Sequence, residues 1–386
     1  MTTPFGTVPS EAIADGRATD AYFQRTRETL EHAGKNPHVV AEVTADQFPT
    51  GSFEVFTGVA EAARLFDGRP VDVDAFCDGR LFDGGPVMRI EGSYLAFAEL
   101  ETSLLGLLSQ PSAFATAALE CRTAAPDSTV LSFGARHVHP ALGSVVERAA
   151  LVAGLDGFSH VAAGELLGRE ASGTMPHALM FCFGEGNQAD AFRAFDEAVA
   201  DDVPRIALTD TFWDEVAETL LAAETLGDRL AGVRLDTTGS RRGDFRHIVR
   251  EVRWELDAHG YDHVEVFLSG GLGPSELSAL ADVADGFGVG SAITSADPVD
   301  FSLDIVAIDG EPVSKRGKLS GVKDVYRTPD GGHHVTLADG DGPTEGESLL
   351  EPLVRDGEIV RDFELEAATE RCLAEAEAVG FGSAGG

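Results

Sequence analysis

The spacing of apolar residues in the first third of the chain predicts a mixture of helices and short strands. Residues 17–32 carry apolar side chains on one face of a helix, and Thr19 or Asp20 is the expected N-cap. A longer helix is predicted over 94–125, where apolar residues recur every three or four positions, with an interruption near Pro111. Between these helices, short apolar runs predict strands at 38–44, 52–58 and 84–92.

From residue 130 the pattern alternates between strands and helices. The predicted strands are TVLSF (129–133), FSHVA (158–162), RIALTD (205–210), AGVRLD (231–236), HVEVFLS (263–269) and GFGVGS (286–291). This alternation predicts a parallel sheet, and about six units within about 170 residues fit an α/β barrel better than two Rossmann halves. After Asp300 a hairpin is predicted over 325–338 and a closing helix over 365–380, ending at Gly380.

The charge of the chain narrows the range of its partners. Its 386 residues include 65 acidic and 29 basic side chains, which gives a formal net charge of −36 and a sequence pI near 4.5. Such a surface repels nucleic acid and anionic membranes, so neither is an expected partner. Scarce lysine beside abundant Asp and Glu indicates a protein from a halophile, with an ordinary acidic enzyme as the alternative.

The remaining composition predicts a cytoplasmic protein. No apolar run has the length of a membrane span, and the polar N-terminus differs from a signal peptide. The four cysteines are scattered and are expected to be buried small apolar residues rather than disulfide partners or zinc ligands.

Two glycine-rich loops are candidates for phosphate binding. SGGLGP (269–274) and GVGS (288–291) follow neighbouring predicted strands. The first loop is either a nest of backbone N–H groups suited to phosphate or a tight turn before a helix that Ser275 caps, and the second loop makes another such nest. Neighbouring glycine loops late in a barrel often form a phosphate site.

A further strand end carries charged side chains. Arg234 and Asp236 flank one position there, so their side chains point to the same side of the strand. Beside Thr237, Asp236 would bind sugar hydroxyls or a metal ion. The structural alternative is that the pair only forms ion pairs with Arg241 and Arg242.

Histidines occur in three loops of the predicted fold. His177, in the small-residue loop SGTMPHAL, is either a catalytic group or a hydrogen-bonded loop residue. His137 and His139 have the spacing of metal ligands but no set of carboxylates or cysteines nearby, so no metal site is predicted there. His333 and His334 are predicted to lie on the surface of the hairpin.

Lysine is concentrated in one short segment. VSKRGKLSGVK, residues 313–323, contains three of the four lysines in the chain. We expect Lys315 and Lys318 to contact phosphate groups, because a strongly acidic protein needs local cations to hold an anion. The alternative is that these lysines pair with acids such as Asp324 and Asp309.

The order of the loops resembles that of the nicotinate phosphoribosyltransferase family, in particular its shorter archaeal and bacterial branch. The matching loops are TDAYFQRT, FGAR, GTMPHAL, TDTF, VRLDT, SGGL, GVGS and KRGKLSG, within residues 15–325. The resemblance implies an incomplete α/β barrel of the type II phosphoribosyltransferases together with an α/β sandwich. It divides the chain into a sandwich with linking helices (1–125), a barrel with the active-site loops (126–300) and a C-terminal segment that packs with the N-terminal domain (301–386).

The resemblance also implies an activity. Members join nicotinate to 5-phosphoribosyl diphosphate, which gives nicotinate mononucleotide and diphosphate for NAD biosynthesis. ATP is hydrolysed as a co-substrate, and Mg²⁺ accompanies the diphosphate substrate. Because the ring nitrogen attacks the anomeric carbon as diphosphate leaves, the protein mainly positions the reactants and stabilises charge. Dimers or larger oligomers are implied, with active sites at the subunit interface.

Residue roles follow from the matching loops. His177 matches the histidine that ATP phosphorylates, Asp236 the carboxylate that holds the ribose hydroxyls, and Arg234 a residue beside the pyridine ring. Tyr22 matches an aromatic residue that stacks on nicotinate from the neighbouring subunit, and Arg136 meets phosphate or the nicotinate carboxylate. The full substrate-binding set that the resemblance implies is Tyr22, Arg136, Thr174, Asp210, Thr211 (the last two in the base pocket), Thr237, Gly270, Gly271, Gly288, Gly290 (the glycines at the 5-phosphate), Lys315 and Lys318.

The chain departs from the family at two places, and two other functions compete. His137 follows Arg136 where many relatives have a second arginine, and only Cys372 remains in the tail where some relatives carry a four-cysteine zinc knuckle, so no structural zinc is expected. One competitor is quinolinate phosphoribosyltransferase, a decarboxylating enzyme that lacks the phosphorylated histidine and is usually shorter. The other is a non-catalytic barrel that binds sugar phosphates, which the joint presence of His177, Arg234 and Asp236 disfavours.

Overall fold

The described residues belong to two units, each with its own central sheet. The computed structural model of the chain describes residues 5–49, 53–236, 243–328, 331–338, 340 and 348–382. The first unit comprises Met1–Thr116, Leu151–Gly154 and Ala296–Gly386, and the second comprises Ala117–Ala150 and Leu155–Ser295. The resemblance placed the corresponding boundaries after residues 125 and 300.

The helices and strands alternate in chain order as follows. The strands are β1 (His38–Gln47), β2 (Glu54–Phe56), β3 (Val71–Ala75), β4 (Arg80–Phe82), β5 (Pro86–Ser93), β6 (Thr129–Ser132), β7 (Gly157–Phe158), β8 (Arg205–Leu208), β9 (Leu230–Leu235), β10 (Glu265–Ser269), β11 (Gly286–Val289), β12 (Asp300–Ile308), β13 (Glu311–Pro312), β14 (Lys323–Arg327), β15 (His333–Leu337), β16 (Glu351–Arg355) and β17 (Glu358–Ile359). The helices are α1 (Ser10–Ala14), α2 (Ala21–Ala33), α3 (Val59–Ala63), α4 (Glu101–Ala124), α5 (Gly143–Val152), α6 (Val161–Leu167), α7 (His177–Phe183), α8 (Gln188–Ala198), α9 (Glu215–Leu226), α10 (Phe245–Ala258), α11 (Pro274–Leu280), α12 (Ser291–Thr294) and α13 (Leu365–Val379). Single 3₁₀ turns lie at Tyr94–Ala96, Ala135–His137, Pro140–Leu142 and Gly227–Arg229.

An antiparallel sheet of seven strands forms the centre of the first unit. Its strand order is β13-β12-β1-β5-β3-β16-β17. Alternate residues of β1 point to opposite faces, as the period of a strand requires. Val39, Ala41 and Val43 enter the larger apolar core of the unit, whereas Val40 joins a smaller cluster on the other face with Val306 of β12. Both faces of this sheet are therefore partly covered.

The long helix α4 continues through Pro111, so the interruption predicted near this residue is wrong. Proline lacks the N–H group that would bond the carbonyl four residues earlier, which is that of Leu107. Gly58 packs directly against this carbonyl, because a Cβ on Gly58 would lie only 2.0 Å from the Leu107 oxygen.

Hydroxyl groups on α4 also bond the segment around β2. Ser112 Oγ accepts a hydrogen bond from the Thr57 N–H at 3.1 Å, and Thr116 Oγ1 accepts one from the Val55 N–H at 2.8 Å. All four residues are buried. These tertiary contacts support the helix on both sides of the proline, and the spacing of apolar residues does not reveal them.

A parallel sheet of six strands forms the centre of the second unit. Its strand order is β7-β6-β11-β10-β9-β8, and every neighbouring pair is parallel. Because β11 returns to pair with β6 while β7 and β8 end the order, the sheet follows the path of a barrel that stays open between β7 and β8. The protein is thus a mixed α/β protein with a curled parallel half-barrel, and the sandwich expected for the first unit stays a prediction.

Three side chains differ from their predicted exposure, and one of them is Cys77, which was expected to be buried and is half-buried. His333 on β15 was expected at the surface, yet only 1% of its side chain is exposed. Its Nδ1 lies 2.9 Å from Asp83 Oδ1, and its ring packs edge-on against Phe53 and Phe76, because one face of the hairpin lies against the rest of the unit. Burial lowers the pKa of His333. Cys182 on α7 was expected to be buried and is exposed.

Among the residues that the structure describes, no helix has both the length and the apolar composition needed to cross a bilayer.

Candidate active site

A cleft lies at the carboxyl ends of the parallel strands in the second unit. Its volume is about 910 Å³, and its walls come from the loops after β6, β7, β9, β10 and β11 together with residues 172–177. The predicted site residues that line it are Arg136, Thr174, His177, Arg234, Asp236, Gly270, Gly271, Gly288 and Gly290. Chemistry in parallel α/β folds gathers at this end of the sheet, so the cleft is the candidate active site.

Arg234 and Asp236 form a bonded pair at the end of β9. Arg234 Nη1 lies 3.2 Å from Asp236 Oδ1, and Ser269 at the end of β10 accepts from Arg234 Nη1 at 2.9 Å and donates to Asp236 Oδ1. Arg234 Nη2 donates to the Met175 carbonyl at 2.9 Å. Burial lowers the pKa of Arg234, and the nearby carboxylates of Asp236 and Asp210 oppose that change. Arg234 is therefore a fixed internal cation rather than a mobile one.

The imidazole of His177 lies between two carboxylates and a hydroxyl group. Its Nε2 is 3.6 Å from Asp236 Oδ2 and 3.7 Å from Asp210 Oδ1, and its Nδ1 is 3.2 Å from Thr211 Oγ1. Two carboxylates beside Nε2 favour a proton on that nitrogen, which leaves the lone pair on Nδ1. His177 is the first residue of α7, and about a third of its side chain, 32%, is exposed, so the ring is within reach of a bound molecule.

Asp210 lies behind these residues rather than in the wall of the cleft. Its side chain is 1% exposed, and its Oδ2 accepts a hydrogen bond from the Asp236 N–H at 2.7 Å. Neither Asp210 nor Thr211 is among the described residues that line the cleft. Their contacts are with His177 and Asp236, and the base-pocket role that the resemblance implies for them stays a prediction.

The two glycine loops bring bare backbone to the cleft. Gly270 has a φ of 98°, and a Cβ there would lie 2.2 Å from the Asp236 carbonyl oxygen. A Cβ on Gly288 would lie 2.3 Å from the ring of Phe133. Any larger residue at either position would displace a strand end or an aromatic ring of the site. Gly271 and Gly290 lie next to them in the wall.

Arg136 is the exposed cation of the cleft. It lies in the 3₁₀ turn after β6, and within the described ranges it forms no hydrogen bond or ion pair. It is close enough to Arg234 to lower the pKa of that guanidinium. Arg136 is thus available to an anionic group of a ligand, whereas Arg234 is already bonded.

Other predicted site residues lie outside this cleft or outside the described ranges. Tyr22 is on α2 of the first unit, with 56% of its surface exposed. Lys315 and Lys318 are also in the first unit, in the loop after β13. Thr237 falls outside the described residues, as do Arg241 and Arg242, with which Arg234 and Asp236 were expected to pair in the structural alternative.

The lysine-rich segment forms ion pairs with acidic residues of the seven-stranded sheet in the first unit. Lys323 is buried, its Nζ lies 2.8 Å from Glu42 Oε2, and its N–H donates to Glu42 Oε1 at 2.7 Å. Lys318 Nζ lies 3.6 Å from Asp304 Oδ2 and 3.4 Å from Ser302 Oγ. Two of the three lysines therefore pair with acids, although the acids are Glu42 and Asp304 rather than those expected.

Two residues that position the site were missed by the sequence analysis. Ser269 bridges Arg234 and Asp236, and Glu218 on α9 accepts hydrogen bonds from the loop that carries Asp210. The signal for Ser269 was its place at the end of a predicted strand next to two glycines. The signal for Glu218 was weaker, because an acid in the first turn of a helix usually faces solvent.

Comparison with known proteins identifies the class and the family. Models of quinolinate phosphoribosyl transferase match the chain, the N-terminal domain over residues 20–112 and the C-terminal domain over residues 114–304. A crystal structure described as nicotinate-nucleotide pyrophosphorylase from Pyrococcus furiosus is 46% identical, with a TM-score of 0.94 over 98% of this chain and 99% of that one. The fold, the cleft and these matches define a phosphoribosyltransferase. The chain belongs to the quinolinate phosphoribosyl transferase family.

Named relatives include nicotinate phosphoribosyltransferases. The protein of that name from Mycobacterium tuberculosis is 29% identical over 321 residues, which is 78% of this chain and 70% of that one. The human protein of the same name is 26% identical over 390 residues, covering 82% of this chain and 72% of that one. A crystal structure of human nicotinic acid phosphoribosyltransferase shares the fold, with a TM-score of 0.73 at 19% identity over 94% of both chains.

Proposed function

We propose that the protein is a nicotinate phosphoribosyltransferase that couples its reaction to ATP hydrolysis and serves NAD biosynthesis. The observation that carries the proposal is the position of His177, whose ring reaches the cleft between Asp236, Asp210 and Thr211. Relatives named nicotinate phosphoribosyltransferase in Mycobacterium tuberculosis and humans support the same assignment.

The cations of the cleft suit a pyridine with one carboxylate. Arg234 is bonded within the protein, whereas Arg136 is exposed and unpaired among the described residues. No lysine is among the described residues that line the cleft. One available guanidinium matches one carboxylate in a bidentate pair. Nicotinate has one carboxylate, whereas quinolinate has two, and the second would find no further unpaired arginine among the described residues of the cleft.

The transfer step requires charge stabilisation at the sugar. As the pyridine nitrogen attacks the anomeric carbon and diphosphate leaves, positive charge develops on the ribose. Asp236 is suited to this position, because Arg234 and Ser269 hold its Oδ1 while Oδ2 faces His177 at the cleft. The backbone at Gly270, Gly271, Gly288 and Gly290 is proposed to hold the 5-phosphate, since no side chain there blocks a phosphate group.

His177 is proposed to receive the γ-phosphoryl group of ATP. The proton favoured on Nε2 leaves the lone pair of Nδ1 as the nucleophile. Thr211 Oγ1, 3.2 Å from Nδ1, orients the ring before the reaction and gives up this contact as phosphorus approaches. Bond formation between Nδ1 and phosphorus accompanies cleavage of the bond to the ADP oxygen, and later hydrolysis releases the phosphate. Positioning is the main contribution of the protein to such a phosphoryl transfer.

Mg²⁺ is proposed to enter with the diphosphate substrate rather than to reside in the protein. Among the described residues there is no group of three or more His, Cys, Asp or Glu that could hold a metal ion. Mg²⁺ typically uses one or two carboxylates together with substrate phosphates, and Asp236 is a carboxylate of the cleft that fits this pattern. The bound ion would neutralise charge on the leaving diphosphate. No structural zinc is proposed.

The alternative function is quinolinate phosphoribosyl transfer with decarboxylation. The names of the matching family models favour it, and so does the Pyrococcus furiosus structure, which is 46% identical to this chain. The cleft favours nicotinate, because a decarboxylating enzyme needs cations for two carboxylates and has no use for a phosphorylated histidine. A binding protein without activity is disfavoured, since His177, Arg234 and Asp236 occur together and Ser269 bonds both Arg234 and Asp236.

The quaternary part of the proposal rests on the resemblance. A homodimer or a larger oligomer is proposed, in which Tyr22 stacks on the nicotinate of the neighbouring subunit. Tyr22 is exposed, so its ring is accessible to a partner subunit. Lys318 lies 3.6 Å from Asp304 and 3.4 Å from Ser302, and these long contacts can be replaced by a contact with a phosphate group. Lys315 is proposed to contact phosphate in the same way.

A single set of assays tests the activity. Purified protein in molar KCl receives nicotinate, nicotinamide or quinolinate with 5-phosphoribosyl diphosphate and Mg²⁺, with and without ATP. We expect nicotinate to exceed nicotinamide in kcat/KM by at least about tenfold, because an unmade charged contact costs a few kcal/mol. Turnover of quinolinate with release of CO₂, and none of nicotinate, would establish the alternative instead.

Matched variants separate the two proposed roles. Asp236→Asn should lose synthesis with and without ATP, because its charge acts at the sugar. His177→Asn should lose the stimulation by ATP and the acid-labile phosphate on the protein. His259→Asn is the control, since this exposed histidine lies at the end of α10 and bonds Glu255. Equal losses in Asp236→Asn and His177→Asn under all conditions would refute the division of roles.

A further inference from the structure

A buried carboxylate behind the cleft accepts hydrogen bonds from the backbone of the loop after β8. Glu218 has no exposed surface and lies in the first turn of α9. Its Oε2 accepts from the Thr211 N–H at 2.8 Å, and its Oε1 accepts from the N–H groups of Phe212 at 2.8 Å and Trp213 at 3.0 Å. Three successive N–H groups that converge on one point form an anion-binding nest. Here the anion belongs to the protein itself.

The same carboxylate is connected to the helix pair that carries His177. Gln188, which is 1% exposed on α8, donates its amide to Glu218 Oε1 at 3.2 Å and accepts from the Gly186 N–H at 2.8 Å. Gly186 lies in the turn between α7 and α8, and α7 begins at His177. Glu218 therefore joins the loop after β8 to the turn that ends the helix of His177.

Among the described residues, the loop that Glu218 holds makes all polar contacts of the imidazole except that of Asp236. Thr211 Oγ1 lies 3.2 Å from Nδ1, and Asp210 Oδ1 lies 3.7 Å from Nε2. Asp210 also holds the Asp236 N–H through its other oxygen. A second contact joins the same elements, because the rings of Phe181 on α7 and Phe212 pack edge-on with centroids 5.1 Å apart.

We propose that Glu218 is a positioning residue for the reaction of His177: its carboxylate fixes the 211–213 backbone so that Thr211 and Asp210 orient the imidazole for phosphoryl transfer. The inference rests on the proposed function for the reactivity of His177, while the orientation of the ring is a matter of geometry alone. Glu218 itself lies behind the loop and touches no residue of the cleft wall in the hydrogen-bond network described.

The position of Glu218 requires a carboxylate, because a side-chain amide has too few acceptor atoms for the donors that meet there. The Glu218 side chain has two oxygens that accept hydrogen bonds from three backbone N–H groups and the Gln188 amide. A glutamine has one acceptor oxygen and one NH₂ group. Either orientation of that amide points NH₂ at an N–H group of the loop, which leaves at least one buried donor unpaired.

The experiment compares Glu218→Gln with Asp214→Ala in the full-length protein. Asp214 caps the same helix, where its side chain accepts from the Ala217 N–H at 2.9 Å, and it makes none of the bonds to residues 211–213. Both variants weaken the start of α9, so Asp214→Ala controls for a loss of stability. The readouts are the rate of His177 phosphorylation by γ-labelled ATP and the ¹⁵N resonances of the His177 ring, assigned by their absence in His177→Asn.

The two readouts give separate answers. We expect Glu218→Gln to slow phosphorylation by about tenfold or more relative to Asp214→Ala, the effect of one unpaired charged hydrogen bond, and to move the His177 ring resonances. If both variants match in rate and in ring resonances, Glu218 is merely structural. If the unmodified protein is not phosphorylated, the proposed coupling to ATP is wrong, and the ring resonances still decide whether Glu218 orients His177. Ring resonances unchanged in Glu218→Gln overturn the inference in either case.

Discussion

At the scale of single residues, one buried carboxylate in the second unit makes stability depend on pH. Glu147 on α5 has no exposed surface, and neither of its carboxylate oxygens has a hydrogen-bond partner among the described residues. Burial raises the pKa of Glu147 from 4.5 to about 7, and the nearby hydroxyl of Ser132 offsets this rise only in part. Near neutral pH the protein therefore holds this group close to its midpoint of titration.

The replacement Glu147→Gln should stabilise the protein at high pH and not at low pH. The pKa is higher in the folded state, so the contribution of the protonated carboxyl is complete below pH 4.5 and is lost as the pH rises through 7. The loss amounts to about 3 kcal/mol at most between pH 5 and pH 8. Unfolding of the variant and of the unmodified protein is followed at pH 5.5 and pH 8.

Glu165→Gln is the control for this prediction, because Glu165 is exposed on α6 and its replacement removes the same charge without burial. The difference in melting temperature between Glu147→Gln and the unmodified protein should be larger at pH 8 than at pH 5.5. A difference that is independent of pH would mean that Glu147 is ionised throughout this range.

Single residues of the site differ in how far the sequence could predict them. Arg234 and Asp236 could be paired in advance, because the period of a strand places residues two apart on one side. The role of Glu218 could not be predicted, since its partners are backbone groups of a loop whose conformation depends on α8 and α9 together. The exposure of His333 was predicted wrongly for the same reason, because the packing of the hairpin decides it.

At the scale of elements, α4 illustrates how a tertiary contact can override a local rule. The helix continues through Pro111, and the carbonyl that the proline leaves without its helical partner faces Gly58. The strands β8 to β11 could be predicted closely from apolar runs because their burial is strong, whereas the strand predicted at 158–162 shares only Phe158 with β7 and runs into α6. The continuation of α4 through Pro111 could not be predicted, since the contact at Gly58 is about fifty positions away in the sequence.

The close approach of Gly58 can be measured by substitution. Gly58→Ala should lower the free energy of unfolding by at least about 2 kcal/mol, because φ is 99° and the new Cβ would overlap the Leu107 oxygen. Gly68→Ala is the matched control: its φ is 73° and no atom lies within 4 Å of the new Cβ, so only the backbone term of about 1 kcal/mol remains. Urea denaturation of both variants gives the comparison. Equal losses would show that the helix shifts to accept the methyl group.

At the scale of the whole molecule, the acidic surface predicts a strong dependence on salt. A formal charge of −36 repels itself in the folded state, and the range of that repulsion falls from about 10 Å at 0.1 M salt to about 3 Å at 1 M. We expect the melting temperature to rise by about 5 °C or more between 0.1 M and 2 M KCl, which corresponds to a gain of about 2 kcal/mol.

The control for the salt effect is pH. At pH 5 some of the carboxylates with raised pKa values are neutral, so the rise with KCl should be smaller than at pH 8. A melting temperature that does not change with KCl at either pH would contradict the expectation of a protein adapted to high salt, and the acidic composition would then need another explanation.

The open half-barrel has a consequence for the behaviour of the protein in crowded solution. A sheet with two outer strands offers unpaired peptide groups to neighbouring chains, which can extend it into polymers. Here one outer strand, β7, has only two residues and the other, β8, has four. The guanidinium of Arg205, the first residue of β8, donates hydrogen bonds to the carbonyl groups of Ala200 and Val203. Outer strands this short offer an incoming strand few unpaired peptide groups. The barrel can therefore stay open without promoting the growth of fibrils.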